Sequence, residues 1–193
     1  MIDLSKGPVH ISSGPGSNPN SMVLTIISKI LQKGGRVIWI ARELPHSEKL
    51  LDILGQHPEN EINRMIIIEF GDSISEKADQ IKKIISPLSQ NDLLIIENWC
   101  ESHGRARKKD INLMKELSGL NKNMKLVITS NSYEDASGQR RGFDGWITRG
   151  EKSLGDAYRT VWLMKIQEQF QKIMITDGEV QTVVNLTKNG FEA

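Results

Sequence analysis

The sequence is poor in several features that would point to a particular class of protein. It has a single cysteine, Cys100, so no disulfide can form within the chain and a reducing compartment is expected. The four histidines are scattered without the spacing of metal ligands. Aromatic residues make up only 5% of the chain. The net charge of +1 excludes a global field that would draw the protein to nucleic acid or to a membrane, so any such site must be a local patch.

Long apolar segments are also missing. The longest apolar runs have about the length of a strand, and the first residues, MIDLSKGPVH, contain no apolar core of a signal peptide. We therefore expect a cytoplasmic protein without a membrane partner. At 193 residues the chain is long enough to bury a hydrophobic core, and it is expected to fold as a single domain over residues 1–193.

Short apolar runs alternate with amphipathic segments through the first two thirds of the chain. Predicted strands cover residues 8–13, 36–41, 64–70, 93–97 and 124–129. Predicted helices cover 19–33, a segment after Ser47, a segment that a capping box at Ser73 and Glu76 opens, and 111–117, while 55–63 is expected to be a loop. The nearly continuous apolar run at 64–70 predicts a strand that is buried on both faces. This order predicts a mainly parallel central sheet flanked by helices, with a ligand crevice at the carboxyl ends of the strands.

The last third has a different pattern. Residues 131–155 are rich in Gly, Ser, Arg and Asp, which is typical of a long surface loop. A strand is predicted at 158–166, and two further strands at 172–176 and 179–186 flank the turn signal Asp177-Gly178. An antiparallel C-terminal hairpin is therefore expected to complete a mixed sheet.

A glycine-rich segment, GPGSNPNS at residues 14–21, lies between the first predicted strand and the first predicted helix. Phosphate-binding loops of the pattern G-x-x-x-x-G-K-[ST] occupy that place. The candidate nucleotide-binding residues are Gly14, Pro15, Gly16, Ser17, Asn18, Asn20 and Ser21. Gly14 and Ser21 fit the pattern, but Pro19 replaces its second glycine and removes an N–H, and Asn20 replaces the lysine and removes a positive charge.

A second interpretation of this segment needs no ligand. Asn18 is a favourable N-cap residue, and proline is favoured at the first position of a helix, which Pro19 would occupy. A strand, a glycine-rich turn and a capped helix would account for the same residues. The sequence leaves both interpretations open.

The segments GPGSNPNS, RVIWIARE, LLIIEN, LVITSNSYED and VNLTKNGFEA follow one another along the chain. In this order they resemble landmarks of the RecA-type recombinase superfamily, and most of all its short archaeal RadB members. GPGSNPNS resembles the Walker A loop, and RVIWIARE resembles a core strand that leads to a catalytic glutamate, here Glu43. LLIIEN resembles the Walker B strand with Glu97 at the acidic position, and LVITSNSYED resembles the strand of the sensor amide, here Asn131. The ending VNLTKNGFEA resembles the closing strand.

The resemblance implies a RecA-like P-loop NTPase fold that binds ATP and magnesium, with Ser21 and Glu97 as magnesium ligands if nucleotide binds. Glu97 is one methylene longer than the usual aspartate, and Asn131 one shorter than the usual glutamine. Together with the altered Walker A loop, these departures imply weak or absent ATP hydrolysis. The implied partners are single-stranded or branched DNA, a RadA-type recombinase, and a second copy in a homodimer.

Two basic segments fall where the resemblance places DNA-binding loops. Residues 101–110, ESHGRARKKD, contain Arg105, Arg107, Lys108 and Lys109. Residues 133–149 contain Arg140 and Arg141 together with Phe143 and Trp146. Arginine mixed with an exposed aromatic suits single-stranded nucleic acid, although most such clusters are simply solvated charge.

Three functions follow as hypotheses. The first is an accessory protein of DNA recombination or repair that binds DNA or a recombinase and hydrolyses little ATP. The second is a working ATPase with an unusual loop, relying on Ser21, Glu43 and Glu97. The third is a pseudo-ATPase adaptor or regulator, resembling the KaiC-like members of the superfamily, that acts through protein contacts.

Overall fold

The computed structural model describes residues 2–120, 124–137, 139, 142–166 and 171–192. Its strands are β1 (Val9–Ser13), β2 (Val37–Ala41), β3 (Met65–Glu69), β4 (Leu93–Glu97), β5 (Lys125–Asn131), β6 (Tyr133–Glu134), β7 (Trp146–Ile147), β8 (Arg159–Lys165), β9 (Lys172–Asp177), β10 (Val180–Thr187) and β11 (Gly190–Glu192). Its α-helices are α1 (Pro19–Gln32), α2 (Ser47–Leu54), α3 (Glu59–Ile62), α4 (Ala78–Ile85), α5 (Lys108–Gly119) and α6 (Glu151–Leu154). None of these helices has the length and apolarity of a membrane span.

A 9-stranded sheet runs through the described part of the chain in the order β11-β10-β9-β8-β1-β5-β4-β2-β3. The strands from β8 to β3 pair in parallel, and β9, β10 and β11 continue the sheet antiparallel. The predicted α/β architecture with an antiparallel C-terminal hairpin is therefore confirmed. Because β1, β5, β4 and β2 are parallel neighbours, the segments that follow them all leave the same edge of the sheet.

Helices cover both faces of this sheet. On one face α1 packs against β1, β2 and β4, with Trp39 at the centre of the cluster. On the other face α4 and α5 pack around Trp99. The apolar positions of α1 recur at helical spacing, which turns one continuous stripe of the helix toward the strands. Both tryptophans are fully buried, as their positions in or beside strands indicate.

Strand β3 departs from the prediction, because it lies at the edge of the sheet. The prediction of burial on both faces was wrong: Ile66 is 51% exposed and Ile67 is 39% exposed. An apolar run indicates a strand, but its place in the sheet depends on how all the crossovers are arranged. The edge position of β3 is set by that topology.

The helices differ from the prediction in three places. The short helix α3 lies inside the predicted loop at 55–63. His46, not Ser47, occupies the N-cap of α2. Ser73 makes no capping bond; its Oγ donates to the Asp110 carboxylate over 2.8 Å, and a 3-10 turn at Ile74–Lys77 precedes α4. A long-range partner thus replaces the local bond that the capping box predicts.

The region between β4 and β8 is more ordered than the sequence indicates. Helix α5 begins at Lys108 rather than at residue 111. Within the predicted loop at 131–155, β6 pairs antiparallel with β7, α6 follows, and Arg149 is buried. The C-terminal hairpin also turns one residue later than predicted, because Asp177 still pairs with Val180 across the turn.

Candidate functional site

The segment from Gly14 to Ser21, called here the phosphate loop, joins β1 to α1 through a tight turn at the carboxyl edge of the sheet. Gly16 and Asn18 adopt left-handed backbone conformations, with φ of 69° and 61°. Ser17 is fully buried, and its Oγ donates to the Gly14 carbonyl over 2.7 Å. The loop is therefore closed by its own hydrogen bonds, with Pro15 and Gly16 on its exposed outer side.

Gly14 has a packing reason to be glycine. A Cβ at this position would lie 2.7 Å from Sδ of Met164 on β8, and the Gly14 amide donates to the Leu163 carbonyl over 2.9 Å. The neighbouring atom belongs to the flexible end of the Met164 side chain, so the close approach favours a glycine here without requiring one.

Asn18 occupies the N-cap position of α1, yet its side chain makes no capping hydrogen bond. The Asn18 Oδ1 instead accepts hydrogen bonds from Ser21 Oγ, over 3.2 Å, and from Nζ of Lys49 on α2. The interpretation that needs no ligand placed Asn18 correctly at the helix start but assigned it the wrong partner. The start of α1 keeps no side-chain cap, and a lysine ammonium lies beside it.

Glu97 ends β4 at the same edge and is fully buried. It lies on the same face of the strand as Ile95, which packs in the core that contains α1. Its Oε2 accepts from Trp39 Nε1 over 3.0 Å, whereas Oε1 has no hydrogen-bond partner among the residues that the structure describes. Burial raises the pKa of Glu97 to about 7, against the lowering effects of the Trp39 bond and the Lys49 charge. A buried carboxyl with a free oxygen can accept a proton or face a cation.

Glu43 and Asn131 meet at a cavity of about 200 Å³ whose lining also contains Arg42, Asn98, Cys100 and Ser102. Asn131 ends β5, and its Oδ1 accepts from Ser13 Oγ over 3.2 Å at the carboxyl end of β1. Glu43 lies exposed in the segment after β2. The structure therefore brings these two predicted residues to one cavity, beside the strand that leads into the phosphate loop.

The first basic segment surrounds the start of α5. Arg107 is the N-cap residue and forms an ion pair with Glu101 over 2.7 Å. Lys108 and Lys109 lie in the first helical turn, and both are exposed, as is Arg105. Arg140 and Arg141 of the second segment lie outside the residues that the structure describes.

Arg149 joins the two segments, a role that the sequence analysis missed. It is 8% exposed; its guanidinium donates to the carbonyls of Gly104, over 2.6 Å, and of Ser102. The same guanidinium lies 5.2 Å from the ring centre of Tyr133. Between the segments runs a groove of about 500 Å³, called here the two-loop groove, lined by Gly104, Arg105, Ala106, Ile111, Tyr133, Arg149 and Gly150. No local pattern distinguished this arginine from its exposed neighbours.

Three solved structures share this architecture. The crystal structure of the RadB recombinase superposes with a TM-score of 0.69 at 15% identity, over 96% of this chain and 90% of that one. This protein has a RecA-type fold. The structure of a DnaB-like replicative helicase gives a TM-score of 0.68 at 11% identity, over 96% of this chain and 58% of the helicase. A third structure, an isolated ATPase domain, gives 0.65 at 11% identity, over 96% of this chain and 84% of that domain.

Sequence comparison alone finds no such relation. No protein-family model matches the chain, and a search of curated protein sequences finds no match. The shared feature is therefore the RecA-type fold, in which the phosphate loop follows the central strand β1.

A RecA-type fold implies ATP and magnesium, and the residues at the loop fit these groups in part. Pro19 offers no N–H and Asn20 no charge, but the Ser21 hydroxyl and the free Oε1 of Glu97 remain as oxygen ligands. The described residues contain no cluster of three or more metal-ligating side chains. A magnesium ion here would therefore depend on phosphate oxygens for most of its ligands.

The aromatic side chains of the second basic segment are less exposed than the sequence predicts. Tyr133 is 42% exposed at the two-loop groove. Phe143 stacks on Trp162 of β8 with ring centres 5.4 Å apart, and Trp146 is half-buried in β7. Tyr133 is therefore the aromatic ring best placed to meet a ligand in the groove.

Proposed function

We propose that this protein is a RadB-like accessory factor of DNA recombination or repair, which binds DNA, a recombinase or both and hydrolyses ATP weakly or not at all. The likeness to a solved RadB recombinase and to a replicative helicase supports this proposal at the level of the fold. The choice of DNA as ligand rests on the two-loop groove.

The groove combines the chemical groups that single-stranded nucleic acid requires. Arg105 contributes a positive charge to its lining, and the exposed lysines at the start of α5 lie next to it in sequence. Tyr133 offers a ring for stacking, and its contact with Arg149 holds that ring against a buried cation. Backbone phosphates bind the cations and bases stack on the ring, without a requirement for sequence.

The position of Lys108 and Lys109 also favours an anionic partner. Both lie in the first turn of α5, where the helix dipole is positive and cations are unfavourable by about 0.3–1 kcal/mol each. The one acid of this turn, Asp110, is buried and accepts hydrogen bonds from Ser73 Oγ and the Ser75 amide, whereas the two lysines are exposed. An anion bound at this point would offset the repulsion, as a phosphate backbone does.

The nucleotide half of the proposal rests on the altered phosphate loop. Pro19 at the first position of α1 removes one backbone donor, and Glu97 is buried where an ionised acid would hold magnesium. Both features weaken charge stabilisation of a transferring phosphoryl group.

The test is fluorescence anisotropy of labelled single-stranded DNA at low and rising salt. We expect micromolar binding at low salt with a log–log salt slope of roughly −3 for about four phosphate contacts. The triple variant Arg105→Ala, Lys108→Ala and Lys109→Ala should lose most of the affinity and flatten the slope by about 2. A matched control removes three exposed lysines elsewhere, Lys33→Ala, Lys83→Ala and Lys115→Ala, and should bind like the unmodified protein.

Absence of micromolar binding, or equal loss in the two triple variants, would remove the DNA part of the proposal. Capture of a RadA-type recombinase without DNA binding would retain the accessory role through protein contacts, as in the adaptor hypothesis.

A working ATPase is the second candidate, favoured by the cavity that Glu43 and Asn131 share. Phosphate release should then fall clearly in Glu43→Ala. Release that is the same in both proteins would leave the accessory role as the better account.

A further inference from the structure

The phosphate loop lacks its own cation, but a neighbouring helix brings one to it. Helix α2 begins at Ser47, so Lys49 lies in its first turn at the carboxyl edge of the sheet. The ammonium of Lys49 donates to Asn18 Oδ1, the same oxygen that accepts from Ser21 Oγ over 3.2 Å. The charge is therefore held within the loop at the start of α1, next to the hydroxyl that ends the P-loop pattern.

Within the described part of the chain, the Lys49 ammonium has no fixed counter-ion. It forms no salt bridge with any of the residues described. Glu97 acts on its charge, but this fully buried carboxylate accepts a hydrogen bond from Trp39 Nε1 and forms no salt bridge with Lys49. Burial in turn lowers the pKa of Lys49. A half-buried cation that is incompletely neutralised attracts an anion.

Two further groups at the same place are open to a ligand, namely the start of α1 and the carboxylate of Glu97. No side chain caps the start of α1, a helix of 14 residues, so its positive dipole end adds to the Lys49 charge. The fully buried Glu97 keeps an unpartnered Oε1 near Lys49. An anion would be stabilised at the helix start, and a cation would bind the free Oε1 of Glu97.

We propose that Lys49 supplies the positive charge of the missing P-loop lysine, whose place in the sequence Asn20 occupies. The Lys49 ammonium would then hold the phosphate chain of a nucleotide against the phosphate loop. This inference rests on the nucleotide site of the proposed function. A lysine ammonium on its four-carbon stem is a mobile point charge, so it can leave Asn18 Oδ1 for a phosphate oxygen. The cation thus comes from α2, while the loop on α1 retains the turn and the Ser21 hydroxyl.

Lys165 is the competing lysine. It ends β8, and its Cδ lies 3.2 Å from the position of a Cβ on Gly16. Its side chain is exposed, whereas that of Lys49 is half-buried and hydrogen-bonded within the loop. A cation that is partly removed from water interacts more strongly with phosphate, so the structure favours Lys49.

Calorimetric titration of the full chain with ATP and magnesium tests the assignment. Lys49→Met keeps the length of the side chain and removes its charge; we expect its ATP affinity to fall about tenfold or more. Lys83→Met removes an exposed lysine of α4 and should leave the affinity unchanged. Thermal unfolding without nucleotide, together with the DNA titration, verifies that each variant is folded.

Rescue separates a phosphate contact from a structural one. In the Lys49→Met background, Asn20→Lys restores a cation at the usual position and should recover most of the lost affinity. Equal affinity in Lys49→Met and the unmodified protein, failure of the rescue in a folded double variant, or a larger loss in Lys165→Met would overturn the inference. So would absence of ATP binding at millimolar concentration, whereas loss of DNA binding alone would overturn only the DNA part of the proposed function.

Discussion

Two buried acids lie at the two ends of the same strand, and their surroundings differ. Asp92 immediately precedes β4 at the amino edge of the sheet and is 3% exposed, while Glu97 ends β4 at the carboxyl edge and is 0% exposed. Asp92 accepts hydrogen bonds from the Arg36 amide and guanidinium and from the Ser89 amide and hydroxyl. Glu97 accepts one, from Trp39, and one of its oxygens has no partner.

The difference moves their pKa values in opposite directions. Burial raises the pKa of both groups, but at Asp92 the bonds from Arg36 and Ser89 outweigh burial and hold the pKa well below its usual range. At Glu97 burial prevails, and the pKa rises to about 7. Burial alone therefore does not identify a site. At β4 the number of hydrogen-bond partners separates the satisfied acid from the acid with a free oxygen, and the second is the better candidate for a ligand site.

The largest change in stability is expected at the amino end of β4, where Asp92 accepts several hydrogen bonds. Asp92→Ala removes the carboxylate that accepts from the amides and side chains of Arg36 and Ser89, while the Pro87 carbonyl still accepts from the Arg36 guanidinium, so we expect a loss of about 4 kcal/mol in the free energy of unfolding. Urea denaturation measures this loss. Asp52→Ala, at an exposed acid of α2, is the control and should change stability by less than about 0.5 kcal/mol. Similar small losses in both variants would contradict the comparison.

The contribution of Glu97, at the carboxyl end of β4, to the stability of the fold should depend on pH. Glu97 holds a proton in the folded state up to about pH 7 and in the unfolded state only to about 4.5, so its contribution to stability is present at low pH and lost as pH rises through 7. Glu97→Gln keeps the shape without the titration. We expect it to match the unmodified protein near pH 4.5 and to be more stable at pH 8 by about 3 kcal/mol.

Denaturation curves at several pH values between 5 and 8 measure this difference. A constant difference between Glu97→Gln and the unmodified protein would mean that Glu97 is ionised throughout, with a partner that the comparison overlooks.

The smallest effect concerns the helix start at the two-loop groove. Because Lys108 and Lys109 oppose the dipole of α5, replacing both with alanine should stabilise the fold by roughly 0.6–2 kcal/mol. The same change should weaken DNA binding, so stability and binding move in opposite directions. Thermal unfolding and anisotropy on one sample detect the pair of effects. A loss of stability would show that the lysines have a structural role instead.

Much of the fold could be predicted because it depends on local patterns. The bounds of β4 and of α1 follow from apolar periodicity and from turn residues at their ends. The candidate Ser21 follows from the P-loop pattern, and Glu97 and Asn131 follow from the resemblance to RecA-type recombinases; the structure places Glu97 and Asn131 at the ends of β4 and β5. The edge position of β3, the bridging role of Arg149 and the approach of Lys49 to Asn18 could not, since each depends on a contact between segments distant in the chain.

The sequence by itself determined most of the longer strands and helices and the loss of a lysine at residue 20, because these are properties of neighbouring residues. Only the tertiary structure decided that Asp92 has its hydrogen bonds and that Glu97 keeps a free oxygen. It also decided that the lysine beside the phosphate loop is Lys49 of α2. The physical reason is that hydrogen bonds and charges act over a few ångströms in space, whereas a sequence records proximity only along the chain.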